Sequence, residues 1–453
     1  MGQATSLPVP APHGALPPRA VPVVYRFPAS RADAHWDVLL VCLAGYTLTA
    51  VGRIHQLFPA IDLVRPVIVT GLLSILLYLV DDRADRRLRL ACGSTSRWLI
   101  ALVAWAILTV PFALIDGLAF DMVFNTFIKT VLMFFVVVGA MRGVRDIERL
   151  AGAYLSGCVI YAAVVVARFD TLEGRDWRLG DLYYYDANDF ATFAVTAMPL
   201  AMYFAHRGRT LPGRLLSLAA LGVLGVAFVY SGSRGGFLAL CATGLFIIVR
   251  YTSIALSRRM TALALVGAVV IVAASDRYWQ QMGSIVADTD YNQTEESGRL
   301  QIWRRGVGYM LSRPIFGVGA ANFEPAEGML SPFAERQQWG AGVRWNAPHN
   351  SFIQAGAELG IPGLIFFTAM IGSAFLALRR RDRISRRPYP PPPVPPQLVQ
   401  ALMASLVGFV VGAFFLSLAY SELLYMLLAM AVAVSKVAGI HRPVPVAVPA
   451  VTS

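Results

Sequence analysis

Residues 118–140 read LAFDMVFNTFIKTVLMFFVVVGA, an apolar run in which Asp121 and Lys129 are the charged side chains. As a helix rising about 1.5 Å per residue, this run is long enough to cross a hydrocarbon core about 30 Å thick. Across the whole chain, hydrophobic residues make up 57% of positions and charged residues 15%. A soluble domain carries about 25% charged residues, so the composition indicates a membrane protein.

Eleven further apolar runs lie near residues 36–52, 66–80, 98–115, 150–167, 190–205, 212–230, 236–250, 260–274, 358–378, 398–418 and 422–440. Their lengths and spacing predict an all-α polytopic membrane protein of about twelve transmembrane helices. The two runs that flank Ser231–Gly236 are also compatible with one broken helix.

The runs divide the chain into seven segments. We expect a disordered Pro/Ala-rich cytoplasmic tail at 1–35, transmembrane helices 1–9 at 36–274, a large periplasmic loop containing short helices at 275–349, transmembrane helix 10 at 350–378, an Arg/Pro-rich cytoplasmic linker at 379–397, transmembrane helices 11–12 at 398–440 and a cytoplasmic tail at 441–453.

Orientation follows from the basic residues in the loops. More than twenty Lys and Arg residues fall in the tails and in alternate loops, against six in the short loops on the other side: Arg53, Arg65, Arg168, Arg175, Arg178 and Arg234. Basic loops stay in the cytoplasm, so both termini are expected there. The expected location is the bacterial inner membrane, with the long loop in the periplasm.

The charge and the cysteines exclude other classes. The net charge is +12, but the arginines are spread over short loops and form no basic face interleaved with aromatics, so nucleic-acid binding is not expected. The four cysteines form no CxxC motif and predict neither a disulfide framework nor a metal site.

Polar residues in three outward segments are candidates for chemistry. Tyr230–Gly236 is glycine-rich, and its backbone N–H groups together with Arg234 could form an anion nest. The alternative is that Arg234 is an interfacial arginine in a tight turn.

The long loop holds Arg299 at the start of a predicted amphipathic helix, where charged residues are either ligands or simply solvated. His349 lies where this loop returns to the membrane, and it is either structural or a proton carrier. Glu358 follows it and is expected to line a cavity or cap a helix.

Together these segments resemble a known family. The stretches SGSRGGF (231–237), ESGRLQIW and RPIFGVGAANF (296–323) and HNSFIQAGAELGIPGL (349–364) are similar to the O-antigen ligase and polymerase superfamily. Ten residues separate His349 from Gly360, as in that superfamily's histidine–glycine motif. Residues 186–191, DANDFA, resemble a less diagnostic segment of the same superfamily.

The resemblance implies a periplasmic glycosyltransferase. The donor would be a glycan on undecaprenyl diphosphate, and the acceptor another glycan or lipid A–core. It implies an inverting reaction without cofactor or metal, with Arg234 and Arg299 holding the diphosphate and His349 acting on the acceptor hydroxyl. Further candidate substrate-binding residues are Ser233, Arg304, Arg305, Asn350, Glu358 and Asn188. Membrane lipids and other polysaccharide-assembly proteins are the remaining expected partners.

Two alternatives stay open at this point. The motifs do not separate a polymerase of O-antigen or exopolysaccharide, which we favour slightly, from an O-antigen ligase. A polysaccharide or lipid-linked oligosaccharide transporter is the rival from another class. Its support is Asp121, Asn125 and Lys129, which share one helix face in a transmembrane run, because charged residues in such runs often mark transport pathways.

Overall fold

A computed structural model gives the fold. It describes residues 24–26, 35–87, 91–169, 178–179, 185–208, 210–286, 295, 297–332, 334, 346–385, 393–440 and 444–446. Most of both predicted tails, much of the loop between 287 and 345, and residues 386–392 of the linker lie outside the described residues.

The described part of the chain is built from helices. Those that precede the long loop are α1 (Val38–Ala50), α2 (Pro66–Leu79), α3 (Ser94–Thr109), α4 (Asp116–Ala140), α5 (Val144–Arg168), α6 (Ala187–Arg207), α7 (Leu211–Ser231), α8 (Arg234–Arg250) and α9 (Leu256–Ala273). The loop and the segments after it contain α10 (Asp276–Gly283), α11 (Arg299–Ser312), α12 (Phe323–Met329), α13 (Ser351–Ser385), α14 (Pro396–Ala413) and α15 (Glu422–Ile440). Short helical turns lie at Ile54–Leu57, Pro59–Asp62, Ala84–Arg86, Val110–Phe112 and Ser284–Val286.

Two short strands occur near the chain ends. Val24–Arg26 (β1) pairs antiparallel with Val444–Val446 (β2), with Tyr25 opposite Pro445. This pairing brings the two ends of the chain side by side.

Each predicted apolar run coincides with all or part of one of these helices. Among the described residues, eight helices are long and apolar enough to cross a membrane: α3 together with the turn Val110–Phe112, and α4, α5, α7, α9, α13, α14 and α15. Helices α1, α2 and α8 are shorter, and α6 is long but less apolar. The membrane-protein class is therefore supported, while the count of twelve spans stays a prediction. The runs flanking Ser231–Gly236 form two helices, because Gly232 adopts a left-handed conformation (φ 57°) that ends α7.

The last two helices form the centre of the bundle. Within the most apolar stretch of each helix, 83% of the residues are buried in α15 and 72% in α14, against 17% in α9. Small residues allow the close contacts this requires: a Cβ at Gly412 would lie 2.3 Å from Oγ1 of Thr192, and one at Gly408 would lie 2.7 Å from Oγ1 of Thr243. Helices α6, α8 and α14 therefore meet at glycines, as helices in membranes commonly do.

Helix α13 is broken at Gly360. This residue has φ 72° and ψ −175°, a conformation that favours glycine, and Pro362 follows two positions later without an N–H to donate. The helix begins at Ser351, seven residues before the predicted apolar run at 358–378. Its first part carries the polar residues Ser351, Gln354 and Glu358, which are buried against protein.

Neighbouring segments replace the helical hydrogen bonds lost at the break. The carbonyl of Ala357 accepts from the N–H of Val318 at 2.8 Å, and that of Glu358 accepts from the N–H of Gly319 at 2.9 Å. The carbonyl of Leu359 accepts from the indole N–H of Trp105 at 2.8 Å. Within a membrane protein such backbone groups must find protein partners, and here α3 and the long loop supply them.

Helix α14 ends earlier than predicted. Its apolar run extends to 418, but the helix stops at Ala413, and residues 414–421 run beside the first part of α13. Ser351 Oγ donates to the carbonyl of Leu416 at 2.7 Å, and the N–H of Ala419 donates to Oε1 of Gln354 at 3.1 Å. These polar side chains of α13 provide hydrogen-bond partners for backbone groups of Leu416 and Ala419, which lie beyond the end of α14.

The opposite end of the bundle is charged and closely paired. Asp37 accepts from Arg86 at 2.6 Å and from Arg142 at 3.0 Å. Nζ of the buried Lys436 donates to the carbonyls of Gly139 and Met141 at 2.6 and 2.9 Å, which caps the end of α4.

The membrane orientation can be tested with single cysteines. In a background without the native cysteines, we expect Ser297→Cys, exposed in the long loop, to react with an impermeant maleimide in intact cells whose outer membrane is permeabilised. Ser385→Cys, at the other end of α13, should react only after lysis. The reverse pattern would contradict a periplasmic loop.

Candidate functional site

Helices α11 and the first part of α13 lie side by side and run in the same direction. Trp303 Nε1 donates to the carbonyl of Pro348 at 3.1 Å, and further along the N–H of Ile361 donates to the carbonyl of Pro314 at 2.8 Å. Between these two contacts, a Cβ at Gly306 would lie 2.5 Å from Cγ2 of Ile353. The N-termini of the two helices are therefore at one end, which carries Arg299 on α11 and His349 just before α13.

A group of aromatic rings joins α8 to this end. Trp303 packs edge-to-face against Phe414 with ring centroids 5.4 Å apart, and its centroid is 6.2 Å from that of Phe415. Phe415 lies directly on α8, because a Cβ at Gly235 would be 2.9 Å from its Cβ. Arg234 therefore lies one residue from a contact with the same aromatic cluster (Trp303, Phe414 and Phe415).

The start of α6 reaches the same region. A Cβ at Gly236 would lie 2.5 Å from Cβ of Ala191 in the first turns of α6. That helix is capped by Asp186, whose carboxylate accepts from the N–H groups of Asn188 and Asp189 at 2.7 Å. The N-termini of α6, α8, α11 and α13 thus gather at one end of the bundle, where their partial positive charges favour an anion.

His349 is held in an unusual conformation. Its φ is +45°, in the left-handed region that non-glycine residues seldom occupy. Its N–H donates to Ser417 Oγ at 2.9 Å, and its neighbours are fixed as well: Pro348 by Trp303, and Asn350 by capping α13. Strained backbone that its neighbours fix in this way is common at functional sites.

The two arginines begin their helices. Arg234 is the first residue of α8 and its Nη1 donates to Ser284 Oγ at 2.9 Å, which links α8 to the start of the long loop. Ser233 caps α8 by accepting from the N–H of Gly236 at 3.1 Å. Arg299 is the first residue of α11, after the cap residue Gly298, and it is half-buried.

Arg305 and Arg304 differ in their surroundings. Arg305 forms an ion pair with the buried Glu327, Nη2 to Oε2 at 2.6 Å and Nε to Oε1 at 2.8 Å, and Tyr309 donates to the same carboxylate at 2.7 Å. The pKa of Arg305 is raised, because the interaction with Glu327 outweighs the lowering effect of burial. The pKa of Tyr309 is also raised, by burial and by the same carboxylate. These contacts hold α11 to α12. Arg304 points to the exposed side.

The remaining predicted residues serve the local architecture. Asn350 caps α13, its Oδ1 accepting from the N–H groups of Phe352 and Ile353 at 2.9 and 3.1 Å. Glu358 is buried, and its Oε2 accepts from the hydroxyl of Tyr420 at 2.9 Å, which ties α13 to the segment before α15. Asn188 lies half-buried in the first turn of α6.

The predicted amphipathic helix of the long loop is confirmed as α11. Ile302, Gly306 and Tyr309 face the protein, whereas the apolar residues used to predict it, Leu300, Val307 and Leu311, are exposed. This exposed apolar stripe fits a helix that lies at a membrane surface.

Several residues that build the site were not singled out from the sequence. Trp303 is not among the candidate site residues, and Phe415 and Ser417 fall within the predicted transmembrane run at 398–418. Ser284 and Glu327 are partners distant in sequence from Arg234 and Arg305. The polar Ser417 and Ser421 near the end of an apolar run were the available signal that α14 stops early.

The face that suggested transport lies on the outside of the bundle. Asp121, Asn125 and Lys129 are exposed, and Asn125 Nδ2 donates to Asp121 Oδ1 at 2.8 Å within α4. The described ranges also contain no group of three or more His, Cys, Asp or Glu side chains arranged to hold a metal.

These features define a class: a helical membrane protein with two arginines and a histidine at gathered helix N-termini. Residues 218–368, which include all three, match the family model described as O-antigen ligase. This match confirms the resemblance to the O-antigen ligase and polymerase superfamily and supports a membrane glycan enzyme of that type. No curated protein matches the chain.

The contrast between Arg305 and Arg304 gives a test of their roles. Removing one partner of a buried ion pair costs about 3–5 kcal/mol, so we expect Arg305→Ala to lower the thermal unfolding temperature of the detergent-purified protein clearly. Arg304→Ala, an exposed change, should stay within about 0.5 kcal/mol of wild type. Equal unfolding temperatures for the two variants would show that the Glu327 pair does not stabilise the loop.

Proposed function

We propose that this protein is a glycosyltransferase of the bacterial inner membrane, with both termini in the cytoplasm and the site in the periplasm. It transfers a glycan from undecaprenyl diphosphate to an acceptor hydroxyl. The observation that carries the proposal is that Arg234, Arg299 and His349 lie next to one group of contacting residues. Arg234 precedes Gly235, which meets Phe415, and Phe415 packs against Trp303. Arg299 lies one helical turn before Trp303, and His349 follows Pro348, whose carbonyl accepts from Trp303. These three residues come from separate parts of the segment similar to O-antigen ligase.

The arginines suit a diphosphate. A guanidinium stays charged at all relevant pH values and offers a planar fork of donors to phosphate oxygens. Each charge-assisted hydrogen bond contributes about 1.5–3 kcal/mol. The N-termini of α8 and α11, on which Arg234 and Arg299 lie, add the partial positive charge of their helices at the same place.

The reaction is a single displacement. The acceptor hydroxyl oxygen attacks the anomeric carbon on the face opposite the phosphate, and a new C–O bond forms as the carbon–oxygen bond to the diphosphate breaks. The electron pair leaves with the diphosphate, whose growing charge the two arginines stabilise, and the hydroxyl proton passes to His349. The configuration at the anomeric carbon is inverted. The arginines supply the charge stabilisation, so the step is proposed to proceed without a metal.

A polymerase of O-antigen or exopolysaccharide is slightly favoured over a ligase. The acceptor is then the glycan of a second lipid-linked unit; for a ligase it is lipid A–core. Transport is disfavoured because the polar face of α4 is exposed on the bundle and the notable charged residues of the motifs gather at one end.

The site assignment predicts separate kinetic effects. We expect His349→Ala to lower turnover by about 10²–10⁴-fold with little change in donor binding, because it removes only a proton acceptor. Arg299→Ala should weaken donor binding as well, by about 10- to 150-fold, because its contact exists before the transition state. Arg234→Lys should remain strongly impaired, since lysine keeps the charge but loses the fork. Glycan transfer by purified protein from lipid-linked donor measures all three.

Arg304→Ala is the matched control, since it removes an exposed arginine from the same helix as Arg299, and we expect a milder loss. All variants must first be shown to insert and accumulate normally. Near-wild-type transfer by inserted Arg234→Ala and His349→Ala would refute the site. Activity that is lost in EDTA and restored by Mg²⁺ would refute the metal-free mechanism.

The identity of the acceptor is tested in cells. If the protein is a polymerase, a gel of cell polysaccharides should show only single repeat units after deletion of the gene. Where the polymer is O-antigen, these units should be attached to core. Loss of all attached glycan together with accumulation of lipid-linked polymer would show that the protein is a ligase instead.

A further inference from the structure

A groove opens between α5 and α7, at the end of the bundle away from the candidate site. Its volume is about 480 Å³. The apolar lining comes from one face of each helix and from the end of α6, and consists of Leu155, Val159, Ile160, Phe204, Leu216 and Ala220. Both flanking helices are among those long and apolar enough to cross a membrane. The groove therefore faces the region that lipid chains occupy.

Small residues keep the groove open. Gly152 and Ser156 on α5 face Gly213 and Ser217 on α7. A Cβ at Gly152 would meet only Phe204 Cζ within 4 Å, in ordinary contact at 3.8 Å, so this glycine leaves room beside Phe204. From Gly152 to Ile160 the groove follows α5 for about 12 Å, at 1.5 Å per residue.

The charged part of the groove's lining lies at one end. Arg207 lines that end, where its Nε lies 3.1 Å from Oε1 of Glu148 while half of its side chain is exposed. Arg214 is also exposed there, and its Nε donates to the carbonyl of Gly208 at 2.7 Å. Arg258 adds a third exposed guanidinium, 3.4 Å from Nδ1 of His206. Among the described residues at this end, Arg207 lines the groove and Arg214 and Arg258 lie near His206, against the one carboxylate of Glu148. The charge of these groups makes the rim cationic.

This combination matches one kind of molecule. An acyl chain fits an apolar groove that runs from the bundle end towards its middle, and a phosphate headgroup fits the cationic rim where the groove begins. Basic pockets between transmembrane helices on the cytoplasmic side are suited to anionic lipid headgroups. We propose that the groove between α5 and α7 binds one anionic phospholipid, with its phosphate at Arg207 and Arg214 and an acyl chain along Leu155, Val159 and Leu216.

The proposal is tested by lipid binding to the intact protein. Detergent-purified, delipidated protein is titrated with phosphatidylglycerol or with phosphatidylcholine of the same acyl chains, and bound lipid is counted by native mass spectrometry. We expect phosphatidylglycerol to bind preferentially. The double variant Arg207→Ala/Arg214→Ala should lose about 5-fold in affinity for each arginine, equivalent to about 1 kcal/mol each. Arg380→Ala, an exposed arginine on α13, should bind like wild type.

A second pair of variants tests the apolar groove. Gly152→Leu should fill it and abolish binding of the lipid, whereas Gly222→Leu, on α7 where a Cβ would meet nothing within 4 Å, should leave binding unchanged. Equal lipid binding by these two folded variants would overturn the proposal. Displacement of the lipid by inorganic phosphate at equal concentration would also overturn the proposal, since the rim would then be a simple anion site. So would the finding that a second copy of the chain, and not the lipid, occupies the groove.

These variants lie away from Arg234, Arg299 and His349. Glycan transfer and lipid binding are therefore separate readouts, and failure of one proposal leaves the other intact.

Discussion

The break in α13 at Gly360 is the constraint on which the candidate site depends. A helix interrupted inside a membrane protein leaves carbonyls that water cannot reach, and each must be satisfied by protein. Here Val318, Gly319 and Trp105 donate to the three carbonyls before the break. Because the first two donors belong to the long loop, the break cannot form as observed unless the loop is docked. The glycine-rich stretch 313–323 thus serves as a backbone clamp, and a Cβ at Gly317 would lie 2.5 Å from the carbonyl oxygen of Glu358.

Docking the loop has an electrostatic consequence. Once Pro314 meets Ile361 and Trp303 meets Pro348, α11 must run parallel to the first part of α13. Parallel neighbours place both positive helix ends together, an arrangement that self-repels unless an anion or acidic side chains are close. At this end Asp186 caps α6, whereas α8, α11 and α13 begin with neutral cap residues and carry two arginines. The fold therefore gathers four helix N-termini and two arginines at one end of the bundle, together with Asp186 and Asp189 at the start of α6. This end is where we propose that the diphosphate binds.

Much of this architecture could be read from the sequence because hydrophobic length and motif spacing are local properties. The apolar runs gave the long helices, and the motifs pointed to Arg234, Arg299 and His349. Pro362 signals an interruption of α13 near Gly360, but the early end of α14 was not predicted. The reason is that Ser351, Gln354 and Glu358 are buried only through contacts with residues about 60 positions away. The role of Arg305 depends likewise on Glu327, since the sequence alone does not show which arginine of the loop is paired to a buried carboxylate.

The aromatic cluster explains why distant segments can act as one site. Trp303 comes from α11, and Phe414 and Phe415 from the segment that follows α14. Phe415 meets Gly235, next to Arg234, and Trp303 donates to the carbonyl of Pro348, next to His349. Ser417, two residues beyond Phe415, holds the N–H of His349 in its left-handed conformation. The proposed base, His349, and the residue next to Arg234 are thus both in contact with the same short segment, 414–417. Displacement of that segment would move the histidine relative to both arginines. Since catalytic groups lose much of their effect when misplaced by about 1 Å, precision at the site depends on the packing of these rings as much as on the charged residues themselves.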